Sequence, residues 1–179
     1  MRLVLSILLF SFLGCSSAIE QSELVFDTKS FFLNEANRLS NDKVGLIKHL
    51  RYNTETDSIF KGDSVNWQDE LQSFIQIDLA KPSYKKSYAT KRIELNNEAY
   101  QIEYVVKDSL LKIKRVLISF NSKDSVESIA IFTKKENSYY NQLTHLTYNI
   151  HNGYYIETTQ QTLKMDSTLF AIKGEFTRY

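Results

Sequence analysis

Apolar residues recur along this chain at two different periods. Phe32, Ala36 and Leu39 stand at i, i+4 and i+7, one stripe of a helix predicted over 27–40, with Asp27 or Thr28 able to cap its start. Asn41-Asp42 stops it. From 44 to 52 the period shortens to two, with Leu46, Leu50 and Tyr52 on one side of a strand and His49 and Arg51 on the other. Asn53-Thr54 allows a turn into a short strand over 56–60. A second helix follows, capped by Asp63 or Ser64, in which Trp67, Leu71 and Phe74 repeat the i, i+4, i+7 stripe beside Ile75. Pro82 disfavours helix at Lys81 and ends the element near 78–80.

After Pro82 the chain reads as strand upon strand, over 84–95, 99–107, 110–121, 126–134, 142–150, 154–162 and 168–176. The breaks between them are short, and parallel crossovers need a dozen residues or more, so the strands form an antiparallel meander. Asn152-Gly153 is the strongest turn signal, read as a two-residue type I′ hairpin. Leu146, Tyr148 and Ile150 alternate with polar neighbours, and Phe170, Ile172 and Phe176 share a face with Gly174. Leu110-Leu111 and Val116-Leu117-Ile118 are apolar on both faces, as in a central strand covered on each side. The expected fold is α+β: a strongly curved antiparallel meander of seven to nine strands, half-barrel to barrel-like, packed against two N-terminal helices. Its core is Phe32, Leu39, Trp67, Leu71, Phe74, Tyr148, Ile150, Phe170, Ile172 and Phe176.

Composition narrows the class. The 179 residues hold 22 Lys+Arg and 21 Asp+Glu, and Arg2 is the charged residue of the first 14, so the remainder is formally neutral. That gives no reason to expect nucleic-acid binding. One Cys rules out an internal disulfide and any multi-Cys metal site, and one Pro and five Gly argue against disorder.

The N-terminus adds an address. Met1-Arg2 precedes an apolar run from Leu3 to Leu13, whose eleven residues would span about 16 Å as helix, against a bilayer core of about 30 Å. It reads as the core of a signal peptide over 1–14. The run ends in Phe12-Leu13-Gly14-Cys15-Ser16-Ser17, which resembles the lipobox of bacterial lipoproteins. The resemblance implies cleavage before Cys15 and a diacylglyceryl thioether on its sulfur. Residues 15–23 become a lipidated tether and 24–179 a single domain. Ser16 after the Cys implies the outer membrane, with the domain facing the periplasm.

Candidate chemistry is sparse. No nucleophile elbow, phosphate-cradling loop or zinc-protease helix motif is present, and no cofactor is implied. His145 and His151 would sit about 20 Å apart on one strand face and cannot share a metal ion. Asp108-Ser109 and Asp124-Ser125 read as turn residues, and Glu94, Glu98 and Glu103 as charges on strand edges. The aromatics remain: Tyr139-Tyr140 and Tyr154-Tyr155 each place one ring on each sheet face, a possible ligand or partner surface.

The segment from Trp67 to Phe74, the run Asp78-Leu79-Ala80-Lys81-Pro82-Ser83-Tyr84, the terminal Phe170–Phe176 strand and the lipobox together resemble small lipoproteins of Bacteroidota without assigned function. The expectation is a non-catalytic, lipid-anchored envelope module that binds a partner protein. The alternative is a carrier or binder of a lipid or other apolar small molecule in the curved sheet, and the remote one a hydrolase.

Overall fold

The computed structural model describes residues 25–62, 64–84, 86–96, 98–163 and 165–177. The signal segment, Cys15 and the tether lie outside them, as does Asp63. The chain is mostly β. Helix α1 (Thr28–Asn41) is followed by β1 (Gly45–Tyr52), β2 (Glu55–Lys61), two single turns of helix, α2 (Trp67–Glu70) and α3 (Gln72–Ile75), a 3-10 turn at Pro82–Tyr84, and then β3 (Tyr88–Glu94), β4 (Tyr100–Val106), β5 (Ile113–Phe120), β6 (Val126–Glu136), β7 (Tyr140–Asn149), β8 (Gly153–Thr162) and β9 (Met165–Thr177).

Helix α1 is bounded by its own side chains. Asp27 accepts from Ser30 N at 2.9 Å and caps the start. At the other end Lys43 takes φ 50°, and Val44 N bonds Leu39 O at 3.0 Å while Lys43 N bonds Ser40 O at 3.2 Å. That is a Schellman stop with Lys in the glycine position, and Val44 buries itself beside Leu39 as the motif requires. Phe32, Ala36 and Leu39 are buried. Thr28, also fully buried, donates to Ile77 O at 2.5 Å and accepts from Leu79 N at 3.1 Å, so the segment after α3 is pinned to the start of α1.

The second predicted helix is not continuous. Leu71 adopts φ −91° and ψ 9°, which separates α2 from α3, and Asn66 caps α2 in place of Ser64 or Asp63. The tighter path keeps Trp67, Leu71 and Phe74 all buried, so side-chain burial overrides helical continuity.

All nine strands pair antiparallel in the order β2-β1-β9-β8-β7-β6-β5-β4-β3. Strands β3 to β9 form the expected meander, and β1 docks its full length on β9. The sheet is open, with β2 and β3 as its edges.

One face carries the helices, and its residues fall into cross-strand rows. Gly174, Tyr154, Tyr148, Ile129 and Ile118 stand side by side from β9 to β5. Phe32 and Phe74 pack on Tyr148 at 5.3 and 6.0 Å between ring centroids, and Tyr148 donates to Glu35 of α1 at 2.6 Å. The next row is Leu50, Ile172, Ile156, Leu146, Ile131 and Val116. The row beyond it is Tyr52, Phe170, Thr158, Thr144, Thr133 and Ile113.

Those rows correct part of the expected core. Phe170, toward the β1 end of the last row, is 42% exposed, whereas Thr133 and Ile113 at the other end of that row are buried. Ile172 and Phe176 are half-buried and pack against the core as expected, and so does Ile150, from the turn after β7 rather than from the strand. Leu110-Leu111 belong to a turn, not to a central strand: β5 starts at Ile113, and Leu110 is 89% exposed with its N–H bonded to Asp108 Oδ1. The β7–β8 connection is also longer than the expected type I′ pair. Asn149 pairs with Gly153, and Asn149 Oδ1 accepts from both His151 N and Asn152 N across a three-residue loop. Gly153 alone there takes positive φ, 130°.

Candidate functional site

The four tyrosines singled out in the sequence do not meet. Tyr140 stands at the start of β7 opposite Thr162, whereas Tyr154 faces Tyr148 near its end. Eight residues of strand, about 26 Å, separate the two positions. Tyr139 is exposed; Tyr154 is buried under α2, where its hydroxyl donates to Glu70. Tyr155 points to the opposite face and donates to Glu157 at 2.5 Å. Alternation puts Tyr154 and Tyr155 on two faces as expected, but Tyr139 precedes β7, and strand length separates the pairs, so they form no common platform.

The histidines are also dispersed. His49 Nδ1 lies 2.8 Å from Ser58 Oγ, and its Nε2 lies 3.5 Å from Glu175. His145 stacks on Phe132 at 4.3 Å with 12° between the planes. His151 is in the β7–β8 turn. Among the described residues no three His, Cys, Asp or Glu side chains gather as a metal site would need. Glu94 pairs with Arg92 and Glu103 with Arg115, each at 2.6 Å. Asp124 takes φ 57° in its turn, and Asp108 accepts from Leu110 N.

The helix-bearing face offers a different site. Past α3 the sheet emerges from cover and leaves a groove of about 240 Å³, with Ser73, Gln76 and Ile77 on the helical side. Its floor is the row that runs Phe170, Thr158, Thr144, Thr133. Leu146, Ile156 and Ile172 form the wall toward the core. Thr144 and Thr158 hydroxyls lie 3.2 Å apart, and Gln142 Nε2 reaches Thr144 at 3.5 Å. Apolar character therefore concentrates at the β9 end, where Phe170 sits beside Tyr52, itself 53% exposed.

Charge concentrates at the other end. Lys135 and Lys112 line the groove there, and no Asp or Glu does. Strand alternation separates Lys135 from Lys134, whose Nζ is bound to Glu136 at 2.5 Å on the opposite face. Lys112 is seated beside β6 by the bond from Lys134 N to its carbonyl, 2.9 Å. Desolvation, together with the charge of Lys135, pushes the Lys112 ammonium below the usual lysine range. Among the described residues neither lysine has an ion-pair partner. The sequence showed Lys134-Lys135 only as a basic pair. The period-two run Ile129, Ile131, Thr133, Lys135 is the signal that assigns the second lysine to the helix side.

The opposite face has a wider, more open depression of about 660 Å³, bordered by Ser128, Ala130, Thr147, Tyr155 and Lys173. Its charges are already matched: Lys173 binds Glu175 at 2.5 Å, and Tyr155 binds Glu157. The groove beside α3 thus joins apolar surface to two lysines that have no ion-pair partner among the described residues. No protein-family model matches the chain, no curated protein matches its sequence, and no solved structure matches its fold.

Proposed function

We propose that this chain is a lipid-anchored protein of the cell envelope that works by binding rather than by breaking bonds, with the groove beside α3 as its binding site. The observation that carries the reading is the meeting of the exposed Phe170 ring, a threonine floor and two lysines without an ion-pair partner among the described residues where the helices stop covering the sheet. The lipobox residues Phe12 to Ser17 support export, acylation at Cys15 and attachment to the outer membrane, facing the periplasm. Several acyl chains on one residue would make that attachment stable.

The groove favours a small ligand over a protein partner, since its volume is small and its polar groups converge. A carrier that encloses a whole lipid would need roughly 300–1,000 Å³ of dry space. The interior under the helices is instead filled by Phe32, Trp67, Phe74 and Leu79, which favours partial seating of a ligand over enclosure. A partial curl of the sheet around the helices belongs to the same reading. It is supported by the reach of the helical layer from Lys48 on β1, bound to Glu70, to Phe120 on β5, packed against Phe26.

Two experiments test it. Cys15→Ser should release the protein from the membrane fraction, and retention there would defeat the anchor. A photoreactive residue at Phe170, cross-linked in intact cells, should yield a discrete adduct that the same residue at Lys123 does not. Absence of any Phe170 adduct would defeat the binding site.

A further inference from the structure

The geometry points to a single-chain amphiphile with an anionic head, a carboxylate or a phosphate monoester, as the ligand of the groove beside α3. This inference rests on the binding reading given above and names the chemistry that the site selects.

One row of side chains changes character from strand to strand: Tyr52 and Phe170 on β1 and β9, then Thr158, Thr144 and Thr133 on β8, β7 and β6. At strand spacings of about 4.8 Å, Phe170 and Thr133 stand about 14 Å apart. A molecule lying along that row meets aromatic surface at one end and ammonium groups at the other. Lys135 lies one position further along the same face of β6 as Thr133, and Lys112, whose carbonyl accepts from Lys134 N, lines the same end of the groove. Two cations that line one groove with no ion-pair partner among the described residues repel each other, and an anion between them would remove that repulsion. The nearest carboxylate in sequence, Glu136, is on the other face and engaged by Lys134. Thr133, Thr144 and Gln142 supply neutral donors for head-group oxygens. The apolar half needs a chain: Phe170 and Tyr52 remain exposed on a sheet face that otherwise buries its rings, and Ile156 and Ile172 continue the surface into the groove.

The test is a calorimetric titration of the full chain carrying Cys15→Ser, so that no acyl group of its own competes. The probes are dodecanoate, dodecyl phosphate, 1-dodecanol and inorganic phosphate, each below its aggregation threshold. One-to-one binding of at least one anionic amphiphile is expected, at least tenfold tighter than the alcohol, and the tighter head identifies the source chemistry. Lys112→Gln with Lys135→Gln should abolish that preference while leaving the alcohol unaffected, and Phe170→Ala should weaken every chain-bearing probe. Equal affinity for the alcohol, or an unaltered preference in the double variant, overturns the anionic head and leaves the binding reading standing. Inorganic phosphate bound as tightly as dodecyl phosphate overturns the chain. If no probe binds, the Phe170 cross-link separates the cases: an adduct overturns only the ligand class, and no adduct overturns the binding reading with it.

Discussion

Glu70 of α2 receives Lys48 of β1 at 2.6 Å, and through this contact a single turn of helix is fastened to the first strand. Lys61 of β2 approaches the same carboxylate at 3.6 Å, and the Tyr154 hydroxyl of β8 donates to it. Burial alone would raise the Glu70 carboxyl. The hydrogen bonds from Lys48 and Tyr154 and the two lysine charges outweigh burial and hold it below the usual carboxylate range. A depressed folded-state pKa contributes stability that is present above the unfolded value, about 4.3 for Glu, and is lost as pH falls through the folded value. Urea melts should therefore show stability declining below pH 4.3. Glu70→Gln should lose about 1–3 kcal/mol at pH 7, the cost of a disrupted charged hydrogen-bond set, and should flatten that acid slope. An unchanged slope in the variant would mean that other carboxylates carry it.

The row that contains Tyr154 makes a second prediction. Gly174 faces Tyr154 across β9 and β8, and a Cβ at Gly174 would lie 2.3 Å from the tyrosine ring. The ring cannot simply swing away, because Glu70 holds its hydroxyl. Gly174→Ala should cost about 1–3 kcal/mol, the usual range for overpacking. In a Tyr154→Ala background the same change should cost under about 0.5 kcal/mol, because the clash is gone. A double-mutant cycle measures the coupling, and simple additivity would show that the ring is not what makes glycine necessary.

Burial on the two sides of the helical cover gives a third. Trp67 meets Phe176 edge-on at 5.3 Å and is almost wholly buried. Trp67→Ala should cost about 3–5 kcal/mol, as for other buried aromatics. Phe170 lies in the groove row, and Phe170→Ala should stay within about 0.5 kcal/mol. Chemical denaturation of both variants checks the pair. A large loss at Phe170 would mean that its ring supports the fold and not only the groove.

These contrasts show which parts of the fold are written locally. The stripe Phe32-Ala36-Leu39 and the alternation in β7 follow from period alone and made those elements legible in the sequence, whereas the stripe Trp67-Leu71-Phe74 gave the buried face but not the break at Leu71. Alternation cannot say where along a strand the cover ends. Phe170, Ile172 and Phe176 share one face, yet Phe170 is exposed while the other two are half-buried. Leu110-Leu111 looked like a strand because apolar residues do, although Asp108 had already started a turn by capping Leu110 N. The groove was the least legible part. Lys112, Lys135 and Phe170 come from three regions of the chain and line one groove only through register across β5 to β9, a long-range property that no local pattern encodes.

The end of α1 supplies the last prediction. Lys43 occupies the left-handed position of a Schellman stop, φ 50°, where a Cβ crowds the backbone. Both hydrogen bonds of the motif are formed, and Val44 and Leu39 make its apolar contact, so the geometry is fully determined by its neighbours. Glycine at this position would keep those bonds and remove the strain. It would also give the unfolded chain more freedom, which opposes the gain. Relief of a left-handed non-glycine residue is worth about 1–2 kcal/mol and the entropy term about 0.5–1 kcal/mol. Lys43→Gly should therefore raise stability by up to about 1 kcal/mol, read as a higher urea midpoint at unchanged slope. Lys43→Ala should be neutral, because alanine keeps the Cβ. A gain from alanine equal to that from glycine would assign the effect to loss of the lysine charge near α1 rather than to backbone strain.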